Sequence, residues 1–425
     1  MEKIENKKKM EEKKEKNSKI KNKKELKQDK DKDKKEKDIK NDNYEPRIGL
    51  ENIGGTCYMN ATIQCLSKTI QLANYFLDLK NKEKIFNNNI IRKNNNDLEL
   101  STSFYEIIQN LWDKNNKTGV YAPNNFKEKI SKMNSLFQGY NSGDSKELIS
   151  FILTKLHQEL NKINYNANSN KLDQPYYKYD RNQMLNLFLD EYKRDNNSII
   201  SNLFFGAIES VSECLNCKKI NKAKGLKSKY KYNFEIIKYL VFPLEEIRKY
   251  RNNKFMQMNA NIMTPNMMTD ILNNNRVFIM DCFEYYQNPI ILNQENKINC
   301  EICKKINDFN YRTKIFFPPN ILILILDRGN NMKYKVDIDF LPSIDISQYI
   351  DKNYANGMKA EYNLYAVLTY IGESTKNGHF IAFCKSHYDS KKWVCYNDSN
   401  VSEIIDFISQ IHNYGLPSVL FYEKI

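Results

Sequence analysis

The sequence predicts an α+β protein. Helical periodicity dominates up to about residue 200, strand-like patterns follow, and the strand half carries two Cys-x-x-Cys knuckles. A length of 425 residues leaves room for two or three domain-sized units around a large core. No run of about 18 uncharged apolar residues occurs, so no membrane-spanning helix is expected. Nine Cys, an odd number, and an opening MEKIENKKKM without a secretory apolar segment point to a reducing compartment, cytoplasmic, nuclear or both. There thiols serve metals or chemistry rather than disulfides.

Charge separates a tail from the folded region. Met1 to Asn43 holds 18 Lys against 12 acids and supplies +6 of the formal +14. With almost no aromatic residue it cannot bury enough apolar surface to offset its ordering entropy, so residues 1–44 read as a disordered Lys-rich tail. A basic tail can touch nucleic acid or an anionic membrane, but interleaved acids make this one a solvated segment of mixed sign. From about residue 45 the composition is globular. Asn-rich runs interrupt it at Asn87–Asn89, Asn94–Asn96, Asn252–Asn253 and Asn273–Asn275, and these read as surface loops. The stretch from Arg248 to Asn275 reads as the longest insertion.

The first motif is GLENIGGTCYMNATIQCLSKTIQLANYF. Gly54 and Gly55 make a turn, Thr56 is the expected N-cap, and Met59, Ile63, Leu66 and Ile70 keep helical spacing. Cys57 then stands in the first turn of a helix, where unpaired N–H groups and the dipole favour a thiolate, the nucleophilic form. Its partner must come from four His. His157 lies in a helical pattern, His387 in a polar turn and His412 in a helix-like tail segment. His379 begins the strand HFIAFCK after the Gly-flanked loop GESTKNG. A second strand, WVCYNDSNVSEI, closes an antiparallel hairpin and brings Asn397 or Asp398 beside His379, where either can hold the imidazole tautomer.

The knuckles SECLNCKK and INCEICKK present Cys214, Cys217, Cys300 and Cys303, four thiolates for a closed, structural Zn2+ site. They stand about 80 residues apart, each beside strand-like sequence. A zinc-dependent nucleic-acid binder is the rival reading. It needs basic and aromatic residues interleaved around the knuckles, whereas the charge excess here is diffuse, so nucleic acid is not an expected partner.

Taken in order, GLENIGGTCYMN, FQGYNSGDSKELISFIL, the two knuckles, NYRTKIFFPPNILILILDR, YNLYAVLTYIGE and GHFIAFCKS with WVCYNDSNVSEI resemble the boxes of the ubiquitin-specific proteases, papain-like cysteine deubiquitinases. The likeness runs through nearly all of residues 46–425. It implies a papain-like hand over residues 45–425, with a helical thumb to about 200, mainly zinc-ribbon β fingers over about 201–315, and mainly a β palm over about 316–425. It implies Cys57 as nucleophile, His379 as base and acid, and Asn397 as the group orienting the ring, with Asp398 a supporting or alternative partner. By the same resemblance Asn52 donates to the oxyanion, and Asp144 and Glu147 meet the basic tail of ubiquitin. No catalytic cofactor and no membrane are implied, and a monomer acting on ubiquitin and ubiquitinated proteins is expected. The alternative is a catalytically weak ubiquitin-binding scaffold of the same fold. The chain departs from the family pattern at Gly55, where Asn is usual, at Ser142 and Gly143, which replace paired Gln, at Phe380, which replaces Tyr, and at the DRG end of the palm segment. None of these removes a catalytic group.

Overall fold

The computed structural model describes residues 47–425 apart from 79–80, 82–98, 114, 116–117, 140–142, 164–177, 353–358, 374–377, 388 and 390. The Lys-rich tail and the Asn runs at 87–89 and 94–96 lie outside the described residues. Helices Cys57–Ser67, Ile70–Leu77, Glu99–Leu111, Asn124–Met133, Ser145–Leu160, Arg181–Asp195 and Ile199–Phe204 come first, and most of the strands follow. No described helix is long and apolar enough to cross a membrane.

The scaffold is an eight-stranded sheet. Its order is Asn400–Ile405, Lys392–Asn397, Gly378–Lys385, Glu361–Gly372, Leu416–Lys424, Ile321–Asp327 and Leu240–Pro243, with Ser343–Asp345 added against Glu361–Gly372. ILILILD explains why this sheet lies inside. Side chains alternate faces along a strand, so Ile321, Ile323 and Ile325 enter the core shared with the N-terminal helices. Leu322, Leu324 and Leu326 enter a second core on the opposite face. A strand apolar on both faces needs cover on both. The second cover comes from helices Leu244–Met258 and Ile279–Gln287, through Leu244, Ile247 and Phe283. Leu324→Ala is expected to cost about 2–5 kcal/mol, because Leu324 is fully buried and a cavity remains behind it; the midpoint of chemical denaturation checks this.

In strand Glu361–Gly372 the register against Leu416–Lys424 shifts between Leu364 and Ala366. A bulge there inverts the alternation. Tyr362 and Leu364 face the second core, whereas Ala366, Leu368 and Tyr370 face the helices.

A separate four-stranded sheet, Lys231–Ile237, Gly206–Cys214, Phe309–Phe317 and Ile290–Leu292, forms the fingers. Its base packs on helix Arg181–Asp195 through Met184, Ala207, Phe234 and Phe316. Arg181 ties the two with a bidentate bond to Glu209, at 2.6 and 2.8 Å.

The stretch 248–275 is not a loop. It falls in two helices, Leu244–Met258 and Pro265–Asn273. Asn252, taken from composition as exposed, is buried and donates to the Ile271 carbonyl at 2.8 Å, joining the pair. The overlooked signal was Thr264–Pro265: the Thr264 hydroxyl accepts from Met267 N–H, and Pro occupies the first helical position, where its missing N–H costs nothing.

Candidate active site

The turn before Cys57 is organised by an amide rather than by the expected cap. Thr56 occupies the N-cap position, but its hydroxyl makes no capping bond and instead accepts from Ile53 N–H at 3.1 Å. Asn52 Oδ1 accepts from Gly54 N–H at 3.2 Å and from Thr56 N–H at 3.0 Å. Gly55 lies at φ +61°, in the left-handed region that Gly and Asn enter most easily, so Gly in place of the family's Asn keeps the turn. The turn delivers Cys57 as the first residue of a helix whose eleven residues are all buried between the other helices and the sheet. Cys57 itself is 4% exposed.

His379 is the second residue of strand Gly378–Lys385. This strand pairs antiparallel with Lys392–Asn397, in the register Ala382–Tyr396 to Lys385–Trp393, as the sequence predicts. The hairpin sets Asn397 Oδ1 2.6 Å from His379 Nε2. An amide oxygen only accepts, so Nε2 carries the proton and Nδ1 is left for the sulfur. Interaction with the Cys57 side chain pushes the His379 pKa up to about 9; burial opposes it, and Asn397 and the charge of Asp398 add to it. Of the four His, only His379 meets Cys57. His157 is half-buried beside Ser198 Oγ at 2.8 Å, and burial together with nearby Lys238 holds it near 4. His387 stacks on Trp112, and His412 stands 3.9 Å from Asp339.

Asp398 supports the ring through its charge and not, as Asn397 does, through a hydrogen bond. Its Oδ2 is 3.9 Å from His379 Nε2, beyond hydrogen bonding, and accepts from Asn52 Nδ2 at 2.9 Å. Its Oδ1 accepts from Asn60 Nδ2 at 2.8 Å and its carbonyl from Leu50 N–H at 2.9 Å. Asn52 thus has its oxygen held by the turn and one amide proton held by Asp398. The second amide proton makes no hydrogen bond among the described residues, and Asn52 is exposed. Sequence reasoning passed over Asn60, a polar residue three places beyond Cys57 and 2% exposed.

Asp144 caps helix Ser145–Leu160 by accepting from Lys146 N–H at 2.8 Å, and Glu147 stands in the first turn. Both are exposed, on a helix that packs against the Cys57 helix.

In the fingers, the Sγ atoms of Cys214, Cys217, Cys300 and Cys303 all lie within 4.8 Å of one another, and Cys217 and Cys300 are 3.7 Å apart. Four sulfurs bonded at about 2.3 Å around a tetrahedral ion stand about 3.8 Å apart. The donor set therefore fits Zn2+. Lys304, at φ +54°, turns the second knuckle, and Asn307 Nδ2 donates to Cys303 Sγ at 3.2 Å, the kind of outer contact that thiolate ligands use.

A family model described as ubiquitin carboxyl-terminal hydrolase matches residues 48–422. Ubiquitin carboxyl-terminal hydrolase 2 of Homo sapiens is 27% identical over 383 residues, 88% of this chain and 54% of that protein. Ubiquitin carboxyl-terminal hydrolase 4 of Arabidopsis thaliana is 23% identical over 370 residues, 85% of this chain and 86% of that protein. The chain spans about half the length of the human relative. Among solved structures, the SAGA Ubp8/Sgf11/Sus1/Sgf73 DUB module bound to ubiquitin aldehyde is similar at a TM-score of 0.55 and 19% identity, covering 89% of this chain and 69% of that one. The same module bound to monoubiquitin gives 0.57 and 18%, with the same coverage. At these identities the structural likeness is one of fold, and it is the papain-like hand with helical thumb, β palm and β fingers. With the family domain matched from residue 48 to residue 422, the chain belongs to the ubiquitin carboxyl-terminal hydrolases, among the ubiquitin-specific proteases.

Proposed function

We propose that this chain is a cysteine-type deubiquitinase that hydrolyses the isopeptide or peptide bond after the C-terminal Gly of ubiquitin. The observation that carries the reading is the meeting of Cys57, His379 and Asn397: His379 Nε2 lies 2.6 Å from Asn397 Oδ1, Cys57 acts on the same ring, and the Cys57 helix packs against the strand that bears His379.

In this reading His379 Nδ1 takes the Cys57 proton and the sulfur attacks the carbonyl carbon of the terminal Gly. The oxyanion receives the free Asn52 amide proton and the Cys57 backbone N–H, and each such donor supplies about 3 kcal/mol of transition-state stabilisation. The imidazolium gives its proton to the departing lysine amine. Water, deprotonated by the same ring, then hydrolyses the thioester. Asn397 keeps Nε2 protonated throughout, so that Nδ1 always faces the sulfur. Exposed Asp144 and Glu147 are proposed to meet the basic residues that precede the ubiquitin terminus. Zn2+ on the four Cys supplies structure alone, because all four of its positions are filled by protein.

Two assays test the reading: release of a fluorophore from a ubiquitin C-terminal amide, and labelling by ubiquitin bearing a thiol-reactive C-terminus. Turnover with labelling at Cys57 is expected. Binding without either would favour the scaffold reading.

The pH profile is a further expected result. Because the His379 pKa is raised to about 9, the imidazolium that protonates the leaving amine persists below that pH and is lost above it. Amide cleavage should fall as pH rises through about 9, while alkylation of Cys57 by a haloacetamide, which needs only the sulfur anion, should not. Parallel falls would reject His379 as the acid.

A further inference from the structure

Asn60 carries no role in the chemistry above, yet its Nδ2 makes three hydrogen bonds close to it while its buried Oδ1 has no partner among the described residues. It lies on the Cys57 helix and is 2% exposed. One Nδ2 proton goes to Asp398 Oδ1 at 2.8 Å. The other is shared between the carbonyls of Leu50 at 3.3 Å and Glu51 at 3.1 Å. Both protons are therefore spent, on three acceptors from two segments, residues 50–51 and the Asp398 turn, that meet through the Leu50 N–H to Asp398 carbonyl bond. Asp398, in turn, has one oxygen on Asn60 and the other on Asn52.

Asp398 opens the two-residue turn between strands Lys392–Asn397 and Asn400–Ile405, where Asn397 pairs with Asn400, and at φ +51° it takes the left-handed conformation that such turns use and that Asp tolerates. The segment bearing Leu50 lies so close to this turn that a Cβ on Gly49 would stand 2.5 Å from the Ser399 carbonyl oxygen. A carboxylate with one oxygen unpartnered would rotate toward water or toward His379 Nε2, 3.9 Å away. Either motion withdraws the acceptor that holds Asn52.

We propose that Asn60 is a positioning residue for the oxyanion donor: by anchoring Asp398 it fixes the carboxylate that aims the Asn52 amide at the developing negative charge. The inference rests on the deubiquitinase reading. It concerns formation of the tetrahedral oxyanion, not activation of the sulfur, and this separates it from a purely structural role. A group that merely held the Cys57 helix to the hairpin would disturb the Cys57–His379 contact as much as the Asn52 amide.

The test uses Asn60→Ala in the full chain, with three readouts. Steady-state cleavage of a ubiquitin C-terminal fluorogenic amide should lose on the order of 10- to 100-fold in kcat with KM nearly unchanged, the size of effect that a misplaced catalytic group produces. Alkylation of Cys57 by iodoacetamide, followed by mass spectrometry of its peptide, should proceed at the wild-type rate, since displacement at carbon forms no oxyanion. In Asn52→Ala the substitution at position 60 should cost little more, because its effect passes through the amide already removed. Additive losses, or alkylation falling in step with cleavage, would overturn the proposal, as would a variant with wild-type kcat. If Asn60→Ala shows no cooperative melt, the same readouts on Asn60→Ser, which keeps one donor, decide in the same way. A wild-type chain that alkylates at Cys57 but never cleaves the amide overturns the deubiquitinase reading as well.

Discussion

Cys57→Ala is expected to abolish hydrolysis of a ubiquitin C-terminal amide, with kcat lower by on the order of 10,000-fold or more, while ubiquitin still binds. The sulfur is the only atom at this position able to form the acyl bond, and the oxyanion donors have no tetrahedral centre to stabilise without it. Binding should survive because the substituted side chain is small and buried. The exposed acids at 144 and 147 are untouched. Calorimetry with ubiquitin, run beside the fluorogenic assay, measures both halves. Residual turnover near the wild-type rate would remove Cys57 as nucleophile, whereas loss of binding together with turnover would mean that the helix start itself had been disturbed.

The other large effect is expected in the fingers. Cys300→Ser, or stripping of metal by a strong chelator, should unfold the finger sheet. A closed four-thiolate zinc site contributes on the order of 10 kcal/mol to folding, and little else at the finger tip replaces it. The buried set there is small: Cys214, Cys217, Cys300 and Phe309, with Leu292 and Cys303 packed alongside. Hydrogen exchange should show protection lost over strands Gly206–Cys214 and Phe309–Phe317, and retained over Ile321–Asp327, whose two covering cores do not include the knuckles. Metal released on denaturation should amount to one zinc per chain. No zinc and an unchanged exchange pattern would leave the four sulfurs as a packed thiol cluster.

The parts of the site that were legible in the sequence share a short-range signature. Cys57 could be placed because a Gly-Gly turn and helical spacing adjoin it, and His379 with Asn397 because antiparallel pairing across one hairpin converts chain distance into contact. The ILILILD strand announced its two-sided burial by its composition. What was not legible depends on contacts between distant segments. Asp398 looked interchangeable with Asn397 because neighbours in sequence share a location, but successive residues at a strand end point in different directions. Only the approach of residues 50–60 shows that the carboxylate belongs to Asn52 and Asn60. Asn252 misled for the opposite reason: Asn counts toward loops by composition, yet here a single carbonyl partner makes it an interior helix residue.

The strand Leu416–Lys424 lies between Glu361–Gly372 and Ile321–Asp327, in the middle of the large sheet. It is made after both Cys57 and His379, so a ribosome-bound chain that has already exposed them still lacks the strand in the middle of the sheet that carries His379. Such a nascent polypeptide should be catalytically silent, with two apolar β edges open to chaperones, until this segment clears the exit tunnel and inserts.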